Sequence, residues 1–187
     1  MEVKPNKVNF INKLTNPNVL VAGCGTGSHI FKTKRYKNAN ILGVDLSLNS
    51  LAYAKRKTEE LGYKGIEYLH ADLLKLKKLN KKFDIIESAG TLHHMKDPIA
   101  GLKVLLEILE PHGFLKIGLY SEIARKHIVD ARQAIKKRNL KITNEYIKNF
   151  RQEIINEKQY SNMQKIIDKS DFYSLSMTRD LLFHVQE

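Results

Sequence analysis

The sequence predicts an α/β fold: a mostly parallel sheet of five clear strands, helices on both faces, and a helical extension at the C-terminal end. Three observations carry this. Short, β-branched apolar runs alternate with segments of helical spacing, the pattern of βαβ units. The first run, Val19-Leu20-Val21-Ala22, ends in a glycine loop, Gly23-Cys24-Gly25-Thr26-Gly27. The next runs end in Asp45, in Asp72 and in the polar stretch SAGTLHHMKD. Chemistry-bearing residues therefore gather at the carboxyl ends of the strands, where open α/β sheets bind ligands.

Each element has its own reason. Before the first strand there is one amphipathic hint, Val8-Phe10-Ile11-Leu14, and then the breaker Asn16-Pro17. The glycine loop after strand one needs φ > 0 and a backbone that a ligand can approach. A tight strand-to-helix turn with no ligand uses glycine in the same way. The first helix is expected over residues 28–35, with its N-terminal amides turned to the loop. Ile41-Leu42-Gly43-Val44 forms strand two, and Asp45 stands near the offset at which doubly wound folds hold a ribose. Ser47 is the expected N-cap of a helix over 48–61, with Gly62 as its stop. Strand three spans 66–71 and ends at Asp72, and strand four spans 83–87. Asp97-Pro98 starts a helix whose stripe Ile99, Leu102, Leu105, Leu106 and Leu109 is expected to press on the sheet. The turn Pro111-His112-Gly113 leads to strand five, 114–120.

Past Ser121 the chain becomes helical. Ser121 caps a helix with Ala124, Ile128, Ala131 and Ile135 on one face, and Thr143 caps another with Ile147, Phe150 and Ile154. Each face reads as too narrow for a free-standing bundle, so residues 121–169 are expected to cover the carboxyl-end rim. Residues 181–185 (LLFHV) are apolar enough for a further strand.

Taken together, VLVAGCGTG, ILGVDLS, the acid-ended HAD, FDIIESAGTLHHMKDP and LEPHGFLKIGLYS resemble a class I S-adenosylmethionine-dependent methyltransferase in order and spacing. The resemblance covers residues 19–121. Residues 83–125 and 171–186 are also similar to bacterial-type methyltransferase modules found beside tetratricopeptide repeats. It implies a Rossmann-like fold whose closing strands six and seven are absent or partial here. It implies one domain over 1–187: a cofactor core at 19–121, a helical substrate cover at 122–170, and an end at 171–187 that leaves a truncated or longer natural chain open.

The resemblance also implies site roles. Ala22, Gly23, Cys24, Gly25 and Gly27 line S-adenosylmethionine, or its product S-adenosylhomocysteine. Asp45 and Leu46 meet the ribose side, Asp72 and Leu73 the adenine, and Ser88 the methyl end. Thr91, His94, Tyr120 and Glu122 face the acceptor. His93 and His94 are the catalytic candidates, because an imidazole titrates near neutrality as a base should; the pair equally serves to shape its loop. No third ligand follows the histidines at metal spacing, so no metal is expected.

Composition bounds the rest. Of the 32 basic residues 25 are lysines, spread along the chain, and the net charge is +12. The dense run 74–82 (LKLKKLNKK) has neither aromatics nor arginines, which argues against a specific nucleic-acid partner. One cysteine excludes an internal disulfide and suits a reducing compartment. No leader and no membrane-length apolar run is read, so a cytoplasmic protein without a membrane partner is expected. The acceptor is read as a small molecule. A protein or RNA acceptor, or a non-catalytic cofactor-binding module, stays open. Glu87-Ser88-Ala89-Gly90 stands where base and glutamine methylation uses Asn/Asp-Pro-Pro-Tyr/Phe, which weighs against the RNA reading.

Overall fold

The structure, a computed structural model, describes residues 14–119, 123, 125–139, 141–156, 164–168 and 170–183. The expected N-terminal amphipathic segment through Ile11, and Tyr120, Ser121, Glu122 and Ala124, lie outside the described residues. The chain divides into two compact units, Met1–Leu119 and Tyr120–Glu187.

The first unit holds five strands: β1 (Asn18–Ala22), β2 (Asn40–Asp45), β3 (Ile66–His70), β4 (Phe83–Ala89) and β5 (Leu109–Gly118). All pair in parallel, in the order β3-β2-β1-β4-β5. The chain lays strands outward from β1 in one direction and then returns to its other side. The switch point is the crevice between the carboxyl ends of β1 and β4. Both faces are covered. Leu20, Ala22, Val44 and Ile86 pack with Leu73, Leu76, Val104, Leu105 and Ile108 on one side. Val19, Val21, Ile41 and Ile85 pack with Ile30, Tyr36 and Leu51 on the other. A strand covered on both faces has no polar side, which is why β1 is apolar from Val19 to Ala22.

The helices begin where their caps dictate. Ser47 Oγ accepts the Ser50 N–H at 3.2 Å ahead of α2 (Leu48–Glu60). Asp97 Oδ1 accepts from Ile99 and Ala100, both at 3.0 Å, at the start of α3 (Pro98–Glu107). The first helix, α1, is shorter than the expected 28–35: it covers Ser28–Lys32, and Thr33–Arg35 tightens into a 3₁₀ turn.

Two expectations need correction. Of the stripe expected on α3, Leu105 is buried and Leu102 and Leu109 pack against the same core, but Ile99 and Leu106 are exposed, and Gly101 and Val104 take their place. A Cβ at Gly101 would lie 2.6 Å from Met95 Sδ, so this small residue sets the line of closest approach. On β5, Pro111-His112-Gly113 is a bulge inside the strand and not a turn before it. Phe83 pairs with Leu109 and Ile85 with Phe114, so two steps on β4 answer five on β5.

The second unit has its own core. The narrow faces of α4 (Lys126–Arg138) and α5 (Asn144–Asn156) share one cluster, Ile128, Ala131, Ile135, Ile147, Phe150 and Ile154. Ile166 of α6 (Gln164–Ile167), Phe172 and Leu181, Leu182 and Phe183 complete it, beside α7 (Leu175–Thr178). The Phe150 and Phe183 rings meet edge to face at 5.7 Å. Each face is too narrow alone; the aromatics contributed from later in the chain fill the gap. The stretch Arg179–Phe183 is a π-helical turn, so the apolar run there adds no strand within the described residues. Among the described residues no helix is long and apolar enough to cross a membrane.

Phe150 is fully buried, so Phe150→Ala should cost about 3–5 kcal/mol, the usual toll of a large core truncation. Urea unfolding followed by far-ultraviolet circular dichroism reads this directly; a loss below about 1 kcal/mol would contradict the helical core described here.

Candidate functional site

The rim of the first unit is built on the loop between β1 and α1. Its backbone is held from β2. The Val44 carbonyl accepts from Gly23 and Cys24 at 2.8 and 2.9 Å, and Asp45 Oδ2 accepts from Gly25 at 2.7 Å. Asp45 Oδ1 accepts from Ser47 at 2.8 Å. Each oxygen of Asp45 thus spends one lone pair on the backbone and keeps another for a ligand.

The three loop glycines, all at positive φ, do different work. A Cβ at Gly23 would lie 2.0 Å from Thr91 Oγ1, so this glycine makes room for the loop after β4. Thr91 Oγ1 in turn donates to the Ala22 carbonyl at 3.2 Å, bridging the switch point. A Cβ at Gly27 would sit 3.1 Å from Ala54 of α2, so this one is a packing glycine. A Cβ at Gly25 would meet nothing within 4 Å, so that side of the loop faces open space.

A cavity of about 140 Å³ opens beside this loop. Gly23, Asp45, Leu46, Asp72, Leu73, Thr91 and Met95 line it, with Val44 and Ala71 behind. It unites the ends of β1, β2 and β3 with the loop after β4. It is smaller than the roughly 300–1,000 Å³ of a drug-sized site, so it encloses one part of a ligand. Asp72 Oδ1 caps the 3₁₀ turn Leu73–Leu79 by accepting from Leu74 at 2.9 Å. Leu46 is 68% exposed and offers an apolar face. His70 Nε2 lies 2.9 Å from the Leu46 carbonyl and steadies that turn. Cys24 meets the loop through its backbone; its side chain is buried, and burial, with Asp45 nearby, pushes the thiol up to about 12, so it is not a nucleophile.

Other expected residues fall elsewhere. Ser88 is 1% exposed, and its hydroxyl makes no hydrogen bond among the described residues. His93 and His94 sit in the short turn Leu92–His94, half-buried, with ring centroids 4.2 Å apart. Both ring nitrogens of His93 are turned away from solvent. Neither histidine lines the cavity. Tyr120 and Glu122, expected to face an acceptor, lie outside the described residues. Among the described residues no group of three or more His, Cys, Asp or Glu is arranged to hold a metal.

A second polar cluster lies on the α1 face of β4. Glu87 is 2% exposed. Its Oε1 accepts from Arg35 and, at 2.6 Å, from the Tyr36 hydroxyl; Lys116 Nζ stands 3.6 Å from Oε2. Burial opposes the charge, but Tyr36, Arg35 and Lys116 outweigh it and hold the carboxyl below its usual range. Tyr36 is raised to about 12 by burial and by Glu87. His29, in the first turn of α1, is lowered by burial and by Lys32. From the sequence Glu87 reads as a loop organiser at the end of its strand. Arg35 and Tyr36 as its partners were not legible, because the pairing spans the whole distance from α1 to β4.

The comparisons agree with this architecture. A family model described as a methyltransferase domain matches residues 14–175. Phosphoethanolamine N-methyltransferase 3 of Arabidopsis thaliana is 28% identical over 139 residues, which cover 74% of this chain and 28% of that protein. A solved S-adenosylmethionine-dependent methyltransferase from Clostridium acetobutylicum is 26% identical with a TM-score of 0.52, over 63% of this chain and 49% of that one. PKMT2 from Rickettsia typhi, 19% identical, aligns with a TM-score of 0.72 over 92% of this chain and 36% of that one, which speaks to fold alone. The chain spans about a third of the length of the curated relatives it matches.

Two expected outcomes follow from the geometry. Gly23→Ala should destabilise more than Gly25→Ala: both carry about 1–2 kcal/mol of left-handed strain, but only the first meets Thr91. Thr91→Ala should recover part of the Gly23→Ala loss and none of the Gly25→Ala loss, as thermal unfolding will show; equal losses at the two glycines would refute the assignment. Glu87, with a depressed folded pKa, stabilises above the unfolded carboxylate range and loses that contribution as pH falls from about 5 towards its folded value. Glu87→Gln should therefore flatten the acid side of the stability–pH curve, measured as the urea midpoint.

Proposed function

Because the chain belongs to the methyltransferase domain family, we propose that it transfers a methyl group from S-adenosylmethionine to a small-molecule acceptor, in the cytoplasm. The observation that carries the donor assignment is the clasp of the Gly25 N–H on Asp45, whose carboxylate lines a cavity together with Asp72. These groups suit an adenosyl ligand. Asp45 has lone pairs for ribose hydroxyls. Asp72 can accept from an adenine amine between the apolar faces of Leu46, Leu73 and Met95. The unobstructed loop at Gly25, with Gly23 and Cys24 on the path from Ala22, leaves room for the amino-acid end.

The bound donor supplies an electrophilic sulfonium methyl; the protein supplies position and dryness. Thr91 and the Leu92–His94 turn form the acceptor side of the crevice in this reading. His94, or His93, takes the proton that an amine or hydroxyl acceptor must lose. A small acceptor is favoured by the phosphoethanolamine enzyme among the relatives. The lysine-rich stretch does not favour nucleic acid: Leu73 and Leu76 of its turn are buried in the core, and Lys77 is paired with Glu107. A protein or RNA acceptor, or cofactor binding without turnover, is the alternative outcome of an assay with labelled donor on cell extract, fractionated by size.

Calorimetry should show S-adenosylhomocysteine binding and NAD not binding. Asp45→Ala should weaken the interaction by about 1.5–3 kcal/mol, the scale of hydrogen bonds to a charged group. His93→Ala and His94→Ala should leave that affinity within a few-fold and slow turnover. Tighter binding of NAD would overturn the donor assignment, and full turnover in both histidine variants would return the pair to a purely structural role.

A further inference from the structure

We infer that Glu87 is a positioning residue for the methyl-donor site: by gripping Arg35 and Tyr36 at the far end of α1, and Lys116 on β5, it fixes where the glycine loop sits against β4. This rests on the reading of that loop as the donor site.

The loop cannot hold itself. Gly23, Gly25 and Gly27 all have positive φ and no side chain to anchor them. The helix that follows is five residues long, begins at Gly27 without a side-chain cap, and buries Ile30 alone. A segment so short and so poorly capped has little intrinsic stability. It is therefore fixed from its two ends. At the loop end stand Val44 and Asp45. At the other end Arg35 and Tyr36, consecutive residues, both donate to Glu87 Oε1. Two donors one residue apart on one oxygen specify the rotation of the 3₁₀ turn as well as its depth, which an apolar contact does not.

Glu87 is suited to this because it cannot move. It is 2% exposed, within β4, and registered against Val21 of β1 and Lys116 of β5. Buried without partners, its charge would be strongly disfavoured, so the grip and the burial enforce each other. The residues that follow it, Ser88 to Thr91, reach the same crevice, and Thr91 closes on Gly23. One side chain thus indexes both walls of the site.

The test compares the full chain with Glu87→Gln and, as a second variant should the glutamine variant not fold, with Arg35→Met, whose side chain is half-exposed. S-adenosylhomocysteine affinity is measured by calorimetry well below the melting temperature, and amide hydrogen exchange is measured on the ligand-free proteins. Positioning predicts affinity weakened on the order of tenfold in Glu87→Gln, and less in Arg35→Met. It also predicts faster exchange across residues 23–35 with α2 unchanged. A lower melting temperature with affinity within twofold and unchanged loop exchange would reduce Glu87 to a stabiliser and overturn the inference. Failure of the wild-type chain to bind would instead overturn the donor-site reading, and the exchange comparison would still decide the positioning.

Discussion

The carboxylate of Asp45 is the constraint on which the rim depends. A loop with glycines at 23, 25 and 27 gains little from side-chain packing and loses more conformational freedom on folding than a loop of ordinary residues. Asp45 offsets this by accepting the Gly25 N–H while Val44, its neighbour, accepts from Gly23 and Cys24. The end of β2 therefore shapes the end of β1. Because the same carboxylate also accepts from Ser47, it fixes the start of α2. Removing it disturbs a loop, a helix start and a cavity wall at once.

Around that constraint the site is divided by face. Strand alternation sends Glu87 to the α1 side and Ile86 to the α3 side. The charged grip is thereby separated from the apolar wall of Leu73, Leu92 and Met95. The cavity itself carries two carboxylates, Asp45 and Asp72, each already anchored by a backbone N–H. Anchored acceptors lose little freedom when a ligand arrives, which is the sense in which the site is preorganised.

The strands and the acids at their ends were legible because β1 to β4 depend on local apolar runs and turn residues. The division of labour among the glycines was not. Gly23 answers to Thr91 and Gly27 to Ala54, contacts that no local pattern encodes. The buried face of α3 was misread at Ile99 and Leu106, though not at Leu102, Leu105 and Leu109, for a related reason. That helix is apolar nearly all round, so periodicity cannot choose a face; Gly101, read locally as a weak helix residue, chooses it by admitting Met95. Pro111-His112-Gly113 has the composition of a turn, and only the register against β4 shows it as a bulge. The helical unit was underestimated because its aromatics, Phe150, Phe172 and Phe183, are scattered in sequence and meet only in the fold.

Amide chemical shifts of the isotope-labelled chain, followed during titration with S-adenosylhomocysteine, test the donor site most directly. The account predicts the largest changes at Gly23, Gly25, Gly27, Leu46 and Leu73, around the Asp45 clasp. Changes confined to the amino ends of the strands or to the helical unit, with the three glycines unmoved at saturation, would contradict it.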